Sequence, residues 1–144
     1  MPSSTNQKQL ELTGETLASG FKMPEKPSTK KTGHEGEEEA CKHIASLGYR
    51  IVNRNFRYGR VGEIDIVAYD GDTLVFIEVK ARTNFAHGAP EASVDRRKQA
   101  QLKRVAKFYY YVNGLNDVYC RFDVIAIEMW QKRVDIRHHK NAFI

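Results

Sequence analysis

Val61–Arg82 reads VGEIDIVAYDGDTLVFIEVKAR, and the fold turns on how this stretch is parsed. It divides into two β-strands closed by a tight turn. Gly62–Tyr69 alternates Glu63, Asp65 and Val67 with the apolar Ile64, Ile66 and Ala68, and Thr73–Lys80 is an apolar, β-branched run that ends in charge. Asp70-Gly71-Asp72 between them is a hairpin signal, because Gly71 adopts positive φ without a Cβ penalty. A two-residue loop at Gly71-Asp72 sets Asp70 opposite Thr73, and pairing then carries Asp65 opposite Glu78 and Glu63 opposite Lys80. Residues directly opposed share a face, with Cβ atoms roughly 4.5–5.5 Å apart. Moving the loop to Asp70-Gly71 opposes Glu63 with Glu78 and leaves Asp65 on the same face. A three-residue loop sends Asp65 and Glu78 to opposite faces, since side chains alternate with period two.

Two carboxylates on one face of an otherwise apolar hairpin repel each other, and desolvation disfavours their charged forms. A divalent cation between them removes both penalties. Mg²⁺ in particular takes hard oxygen ligands, commonly one or two carboxylates completed by water and substrate phosphate. Lys80 lies two residues beyond Glu78 and so on the same face, where its ammonium can meet a phosphate or a developing anion. Each charge taken singly is also explained by an ordinary solvated sheet face. The grouping is what points to a site.

Around this hairpin the chain has 144 residues, 41% of them hydrophobic, which suits one domain with a modest core. A formal net charge of +5 favours an acidic partner. Cys41 and Cys120 are too few and too far apart for a disulfide framework or a zinc ribbon, and read as reduced thiols of a cytoplasmic protein. No apolar run approaches a membrane span, and the N-terminus lacks the basic start and apolar core of a signal peptide. Residues 1–31, rich in Ser, Thr, Lys and Pro, read as a flexible tail ahead of a domain at 32–144.

Within that domain Thr32–Glu35 fits a capping box opening a helix to about Leu47, stopped by Gly48. Its apolar stripe is Ala40, Ile44 and Leu47, and Glu37 falls on it while Glu38 and Glu39 do not. Glu37 is therefore the acid aimed at the protein. Tyr49–Phe56 reads as the first strand, with Arg54, Arg57 and Arg60 around the loop that follows. Beyond the hairpin, Thr83–Pro90 reads as a loop and about Glu91–Val112 as a long helix with Val94, Leu102, Val105, Tyr109 and Val112 on its apolar side. Arg96, Arg97, Lys98, Lys103, Arg104 and Lys107 crowd that helix, a surface suited to neutralising a phosphate backbone. Lys98 lies on the buried stripe and points toward the carboxylates. Phe108–Tyr111 reads as core and rim rather than a stacking platform. Val118–Glu128 is a further strand, apolar on both faces at Val124–Ile127, and Asp123 within it is a structural or supporting acid. Lys132–Arg137 reads as an edge strand running into His138-His139, whose side chains must diverge.

Helix, three strands, helix, strand, carrying Glu37, Asp65 and Glu78-Val79-Lys80, resembles the PD-(D/E)xK or restriction-endonuclease-like nuclease superfamily. More narrowly it resembles the YraN-type bacterial family, which is similar to archaeal Holliday junction resolvases. The matching pieces are Gly33-x-x-Gly36-Glu37-x-x-Ala40, Gly62-Glu63-Ile64-Asp65, Phe76-Ile77-Glu78-Val79-Lys80-x-Arg82, Val94 with Lys98, Arg121-Phe122-Asp123-Val124 and Asn141-Ala142-Phe143. Ile64 stands where the superfamily's name has proline. The resemblance implies an α/β fold with an αβββαβ core, a mixed sheet flanked by helices. It implies a Mg²⁺- or Mn²⁺-dependent endonuclease acting on DNA, branched or junction DNA included. Asp65, Glu78 and the Val79 carbonyl would hold the metal, Glu37 would ligate through water or orient, and Lys80 would position the attacking water or stabilise the phosphorane. Glu63 and Asp123 would support them, and Arg82 would join the basic helix on nucleic acid. Family analogy also admits a homodimer, since symmetric four-way junctions suit two-fold enzymes. The alternative is a non-catalytic nucleic-acid-binding module of the same fold, and a protein-interaction domain has no positive sign in the sequence.

Overall fold

The structure, a computed structural model, describes residues 29–83 and 88–144. Helix α1 (Thr29–Ser46) leads into strands β1 (Arg50–Tyr58), β2 (Gly62–Asp70) and β3 (Thr73–Arg82). A 3₁₀ turn at Pro90–Ser93 then precedes helix α2 (Arg96–Val112) and strands β4 (Cys120–Trp130) and β5 (Arg133–Phe143). The strands form one mixed sheet in the order β1-β2-β3-β4-β5. Every neighbouring pair is antiparallel except β3 and β4, which run parallel. A parallel pair needs a long crossover, and α2 supplies it. This is the α/β restriction-endonuclease-like arrangement, with a β5 edge strand added.

The core lies in two layers because β3 alternates strictly. Val75, Ile77 and Val79 face α1 and pack with Ala40, Ile44, Ile125 and Ile127. Leu74 and Phe76 face α2 and pack with Leu102, Val105, Ala106 and Tyr109. Each layer is continuous apolar surface removed from water on both sides of the sheet, the usual condition for strands next to a parallel crossover. Phe108 and Tyr110 complete the second layer's rim. The Phe108 ring stacks on Tyr58 at 3.9 Å, and the Tyr110 hydroxyl donates to the Val118 carbonyl at 2.7 Å.

The hairpin takes the two-residue loop. Asp70 pairs with Thr73, Gly71 sits at φ +59°, and the ladder runs back to Ile66 opposite Ile77. One step further the pairing stops, so the expected oppositions of Asp65 with Glu78 and of Glu63 with Lys80 are not made in the ladder, and Glu63 pairs with Arg57 of β1. Beyond that point β1 and β2 rotate together. Ile66 packs on the α1 side but Ile64, two residues away, packs on the α2 side. On β1, Arg54 meets Glu38 of α1, whereas Phe56 meets Phe108 and Tyr109 of α2. Asp65 and Asn55 sit at the turning point, with Asn55 in the left-handed region at φ +53°.

Several boundaries differ from the sequence reading. Helix α1 already includes Thr29, so Thr32 lies inside it, buried, rather than capping it. Leu47 and Val112 extend the predicted stripes past the ends of their contact surfaces and are about half exposed, at 47% and 54%. Helix α2 begins at Arg96 instead of Glu91, because the Asp95 carboxylate caps the Lys98 N–H at 2.9 Å and Pro90–Ser93 forms its own 3₁₀ turn. Arg54 and Arg57 belong to β1 itself, and β5 runs on through His138-His139 to Phe143. Those two histidines do diverge: His138 meets Asp123 and His139 meets Glu91. The tail reading falls, up to residue 28, outside the described residues, as do residues 84–87 of the loop after β3.

Candidate active site

Where β2 and β3 part, the freed backbone is taken up by a side chain. The Val79 N–H, which would otherwise continue the ladder, donates to Asp65 Oδ2 at 2.8 Å. That bond pins Asp65 against β3 and beside Glu78. Glu78 and Lys80 share the α2-facing side of β3. The Glu78 side chain is only 5% exposed, and Lys98 of α2 reaches it with Nζ 3.7 Å from Oε2. That same oxygen is buried and has no hydrogen-bond partner among the described residues. Burial, and after it the negative charge of Asp65, push Glu78 up to about 8, against the opposing pull of Lys98 and Lys80.

From the other side of the sheet α1 delivers Glu37. Its approach is close because Gly36 has no side chain: a Cβ there would run into Ala81 Cβ of β3. Glu37, Glu63 and Asp65 each place a carboxylate oxygen within 4.8 Å of the others. Burial and the Asp65 charge raise Glu37 to about 7. Glu38 and Glu39, one step round the helix, turn outward instead to Arg54 at 2.8 Å and Lys42 at 3.6 Å. Asn55 lies between Glu37 and Glu63. Its amide nitrogen, oriented by these two acceptors, donates to Oε1 of each at 2.9 Å.

Glu37, Glu63, Asp65 and Glu78 thus converge from α1, β2 and β3. The oxygens fit a hard divalent cation: Glu37, Glu63 and Asp65 crowd one place, the adjoining Glu78 has a buried oxygen that lacks a donor, and two carboxyls are held far above their ordinary range. Glu63, read from the sequence as a supporting acid, belongs to the tightest trio, while Glu78 stands on its far side toward Lys98.

Asp123 sits elsewhere. It is fully buried and accepts from Arg121 Nε at 2.9 Å and from the Asn141 N–H at 3.0 Å, with His138 Nε2 at 2.8 Å. Burial alone would raise its carboxyl, but the His138 and Arg121 contacts outweigh burial and hold it below the usual range. Arg121 also ties in Asp70 and the Tyr49 hydroxyl, so this network joins β4 to β5, the hairpin turn and the end of α1.

The basic residues divide into two groups. Arg97, Lys98 and Arg104 line a cleft of about 620 Å³ with Arg60 of the β1–β2 turn. Arg96, Lys103 and Lys107 are exposed along a different, outward stripe of α2. Arg82 is half-buried at the end of β3 and donates to the Gly88 carbonyl at 3.2 Å. Gln101, which the sequence reading passed over, donates to the Val61 carbonyl at 2.5 Å and fastens the Arg60 turn to α2. The signal for it was present: Gln101 falls one turn after Arg97 and one before Arg104.

A family model described as uncharacterised protein family UPF0102 matches residues 36–127, which run from Gly36 through the buried part of β4. The chain is 46% identical over 120 residues to the UPF0102 protein CT2262 of Chlorobaculum tepidum, covering 78% of this chain and 91% of that one. It is 43% identical over 116 residues to a UPF0102 protein of Alkaliphilus oremlandii, covering 79% and 98%. A UPF0102 protein of Acetivibrio thermocellus is 39% identical over 127 residues, covering 85% and 98%. On the family match and on these relatives together, the chain belongs to the uncharacterised protein family UPF0102.

Proposed function

We propose that this protein is a divalent-cation-dependent endonuclease that hydrolyses phosphodiester bonds of DNA, with branched or junction DNA as the substrate class. The observation that carries the reading is the meeting of Glu37, Glu63 and Asp65 from α1 and β2, with Glu78 and Lys80 of β3 next to Asp65 and an arginine-lined cleft nearby. Asp65, Glu78 and the Val79 carbonyl would hold Mg²⁺ or Mn²⁺, with Glu37 and Glu63 completing or orienting the oxygen set. A cation held by these residues would make water a better nucleophile near neutral pH and would screen charge on the phosphate. The Val79 N–H fixes Asp65 in place, so the carboxylate needs no reorganisation when substrate arrives. Lys80 donates to the attacking water or to a non-bridging phosphate oxygen. Arg60, Arg97 and Arg104 bind flanking phosphates, and the outward Arg96, Lys103 and Lys107 extend the track along the duplex. Two copies related by a two-fold axis would suit a four-way junction. The test is a panel of branched, flapped and linear DNAs with Mg²⁺, Mn²⁺ or EDTA, run beside Asp65→Asn. Metal-dependent cutting lost in the variant supports the reading, and equal cutting by both chains contradicts it.

One observation favours a second reading, a nucleic-acid-binding module that does not cut. Lys98 already lies against Glu78, partly neutralising the centre from within. Such a module binds DNA with a steep salt dependence that Lys80→Ala leaves unchanged, and it cuts nothing in the same panel.

A further inference from the structure

Asn55 stands out on a strand whose other contacts are ordinary. It lies on the edge strand β1 with φ +53°, a conformation that costs a non-glycine residue free energy and that asparagine tolerates better than most. The backbone turns there, between Arg54 on the α1 side and Phe56 on the α2 side. The result is to place one neutral amide between two carboxylates, donating to Glu37 Oε1 and Glu63 Oε1 at 2.9 Å each. Those two and Asp65 are the three whose oxygens cluster within 4.8 Å. A strained residue retained at a cluster of like charges is an indication of function.

Resting on the metal-dependent reading above, we infer that Asn55 is the positioning residue of the cation site, holding Glu37 and Glu63 toward Asp65 before the cation arrives. The chemistry favours an amide. Both of its N–H groups point at acids and take one oxygen of each, which leaves Glu37 a second oxygen for the ion, while Glu63 Oε2 also meets Arg57 at 3.4 Å. An arginine or lysine in the same place would bring the acids together as well, but its charge would replace the cation rather than prepare for it. The strand conformation and the two hydrogen bonds serve one another: only with the backbone turned does a side chain from the sheet edge reach both α1 and β2. Hydrogen-bond partners that orient metal ligands commonly change affinity by about 10–100-fold when removed.

The experiment is Mn²⁺ binding to the full chain, followed by electron paramagnetic resonance of free Mn²⁺ and by calorimetry. The variant is Asn55→Gly, which keeps the left-handed backbone and removes both donors. It is expected to bind Mn²⁺ about tenfold or more weakly with its thermal midpoint close to that of the parent. Asn55→Ser, which keeps a single donor, is the second variant and is expected to fall between the two. In the Glu63→Gln background the loss caused by Asn55→Gly shrinks, because one of its two acceptors has changed; a purely structural role would not move this coupling. If Asn55→Gly and Asn55→Ser bind Mn²⁺ as tightly as the parent, the inference is overturned while the cation site stands. If the parent itself takes up no Mn²⁺, both the inference and the nuclease reading fall.

Discussion

Glu78→Gln is expected to stabilise the cation-free protein at alkaline pH. The reasoning begins with the burial of Glu78, its unbonded Oε2 and the neighbouring charge of Asp65, which together raise its carboxyl from 4.5 to about 8. A carboxyl raised on folding binds its proton more tightly in the native state. Its stabilising effect is therefore complete below pH 4.5 and is lost as pH climbs through about 8. Each pH unit in that window is worth about 1.4 kcal/mol per proton, so the ceiling is on the order of 5 kcal/mol. Relaxation around the buried carboxylate lowers the observable effect to roughly 2–3 kcal/mol. In a domain of this size that is a shift of about 10 °C in the midpoint.

The assay is thermal and urea unfolding of both chains at pH 5, 6.5 and 8.5, in EDTA and in Mg²⁺. Other groups titrate across this range: His43, lowered first by burial and then by His138 and Lys140, works in the opposite direction. The difference between the two chains isolates residue 78. In EDTA, Glu78→Gln should be more stable than the parent at pH 8.5 and should lose that advantage by pH 5. Mg²⁺ should raise the parent at pH 8.5 and do much less for the variant. Parallel curves for both chains at every pH would refute the claim that Glu78 is a buried, destabilising charge awaiting a cation.

Asp65→Asn keeps an oxygen for the Val79 N–H, so folding should survive while cleavage of any DNA substrate drops by roughly a hundredfold or more. Gly36→Ala drives a methyl group into Ala81, forcing α1 off β3; a loss of about 1–3 kcal/mol in urea unfolding is expected, with weakened Mn²⁺ binding as Glu37 retreats. Asp123→Asn leaves His138 without its charged partner and Arg121 with Asp70 alone, and should cost about 3 kcal/mol, lowering the thermal midpoint without altering Mn²⁺ affinity in the folded chain. Replacing Arg97 and Lys103 by alanine should flatten the dependence of DNA affinity on salt by about 0.9 per lost phosphate contact, read from fluorescence anisotropy at several salt concentrations. An unchanged slope would remove α2 from the binding surface.

Much of this organisation was legible because it rests on local rules. Asp70-Gly71-Asp72 permits few turns, and the one that forms sets the register of β2 on β3 through Ile66 opposite Ile77. Glu37 was separable from Glu38 and Glu39 by helical period alone, and its neighbours do turn outward to Arg54 and Lys42. Lys98 could be aimed from its place on the buried stripe of α2, and it meets Glu78. The helix ends were harder. Asp95 is a good cap, but Pro90 and Glu91 also look like a helix start, and only the 3₁₀ turn between them separates the two.

What period-two reasoning misses is that the sheet does not continue flat through the site. A strict register carried past Ile66 would keep Asp65 with Val67 on the α2 face, remote from Glu37. Instead β1 and β2 turn over between Ile66 and Ile64, and Asp65 gives its carboxylate to the Val79 amide where the ladder lapses. That turn sets Asp65 between acids from opposite layers of the molecule, Glu37 meeting it from the α1 side and Glu78 from the α2 side. No alternation pattern announces it. The trace it leaves in the chain is Asn55, a residue able to accept the left-handed backbone that the rotation imposes. A flat sheet with the same residues would strand Glu37 and Glu78 on separate faces, each solvated or paired alone. The parting of β2 from β3 is therefore the structural origin of the site, and the four carboxylates are placed by it rather than by their spacing in the sequence.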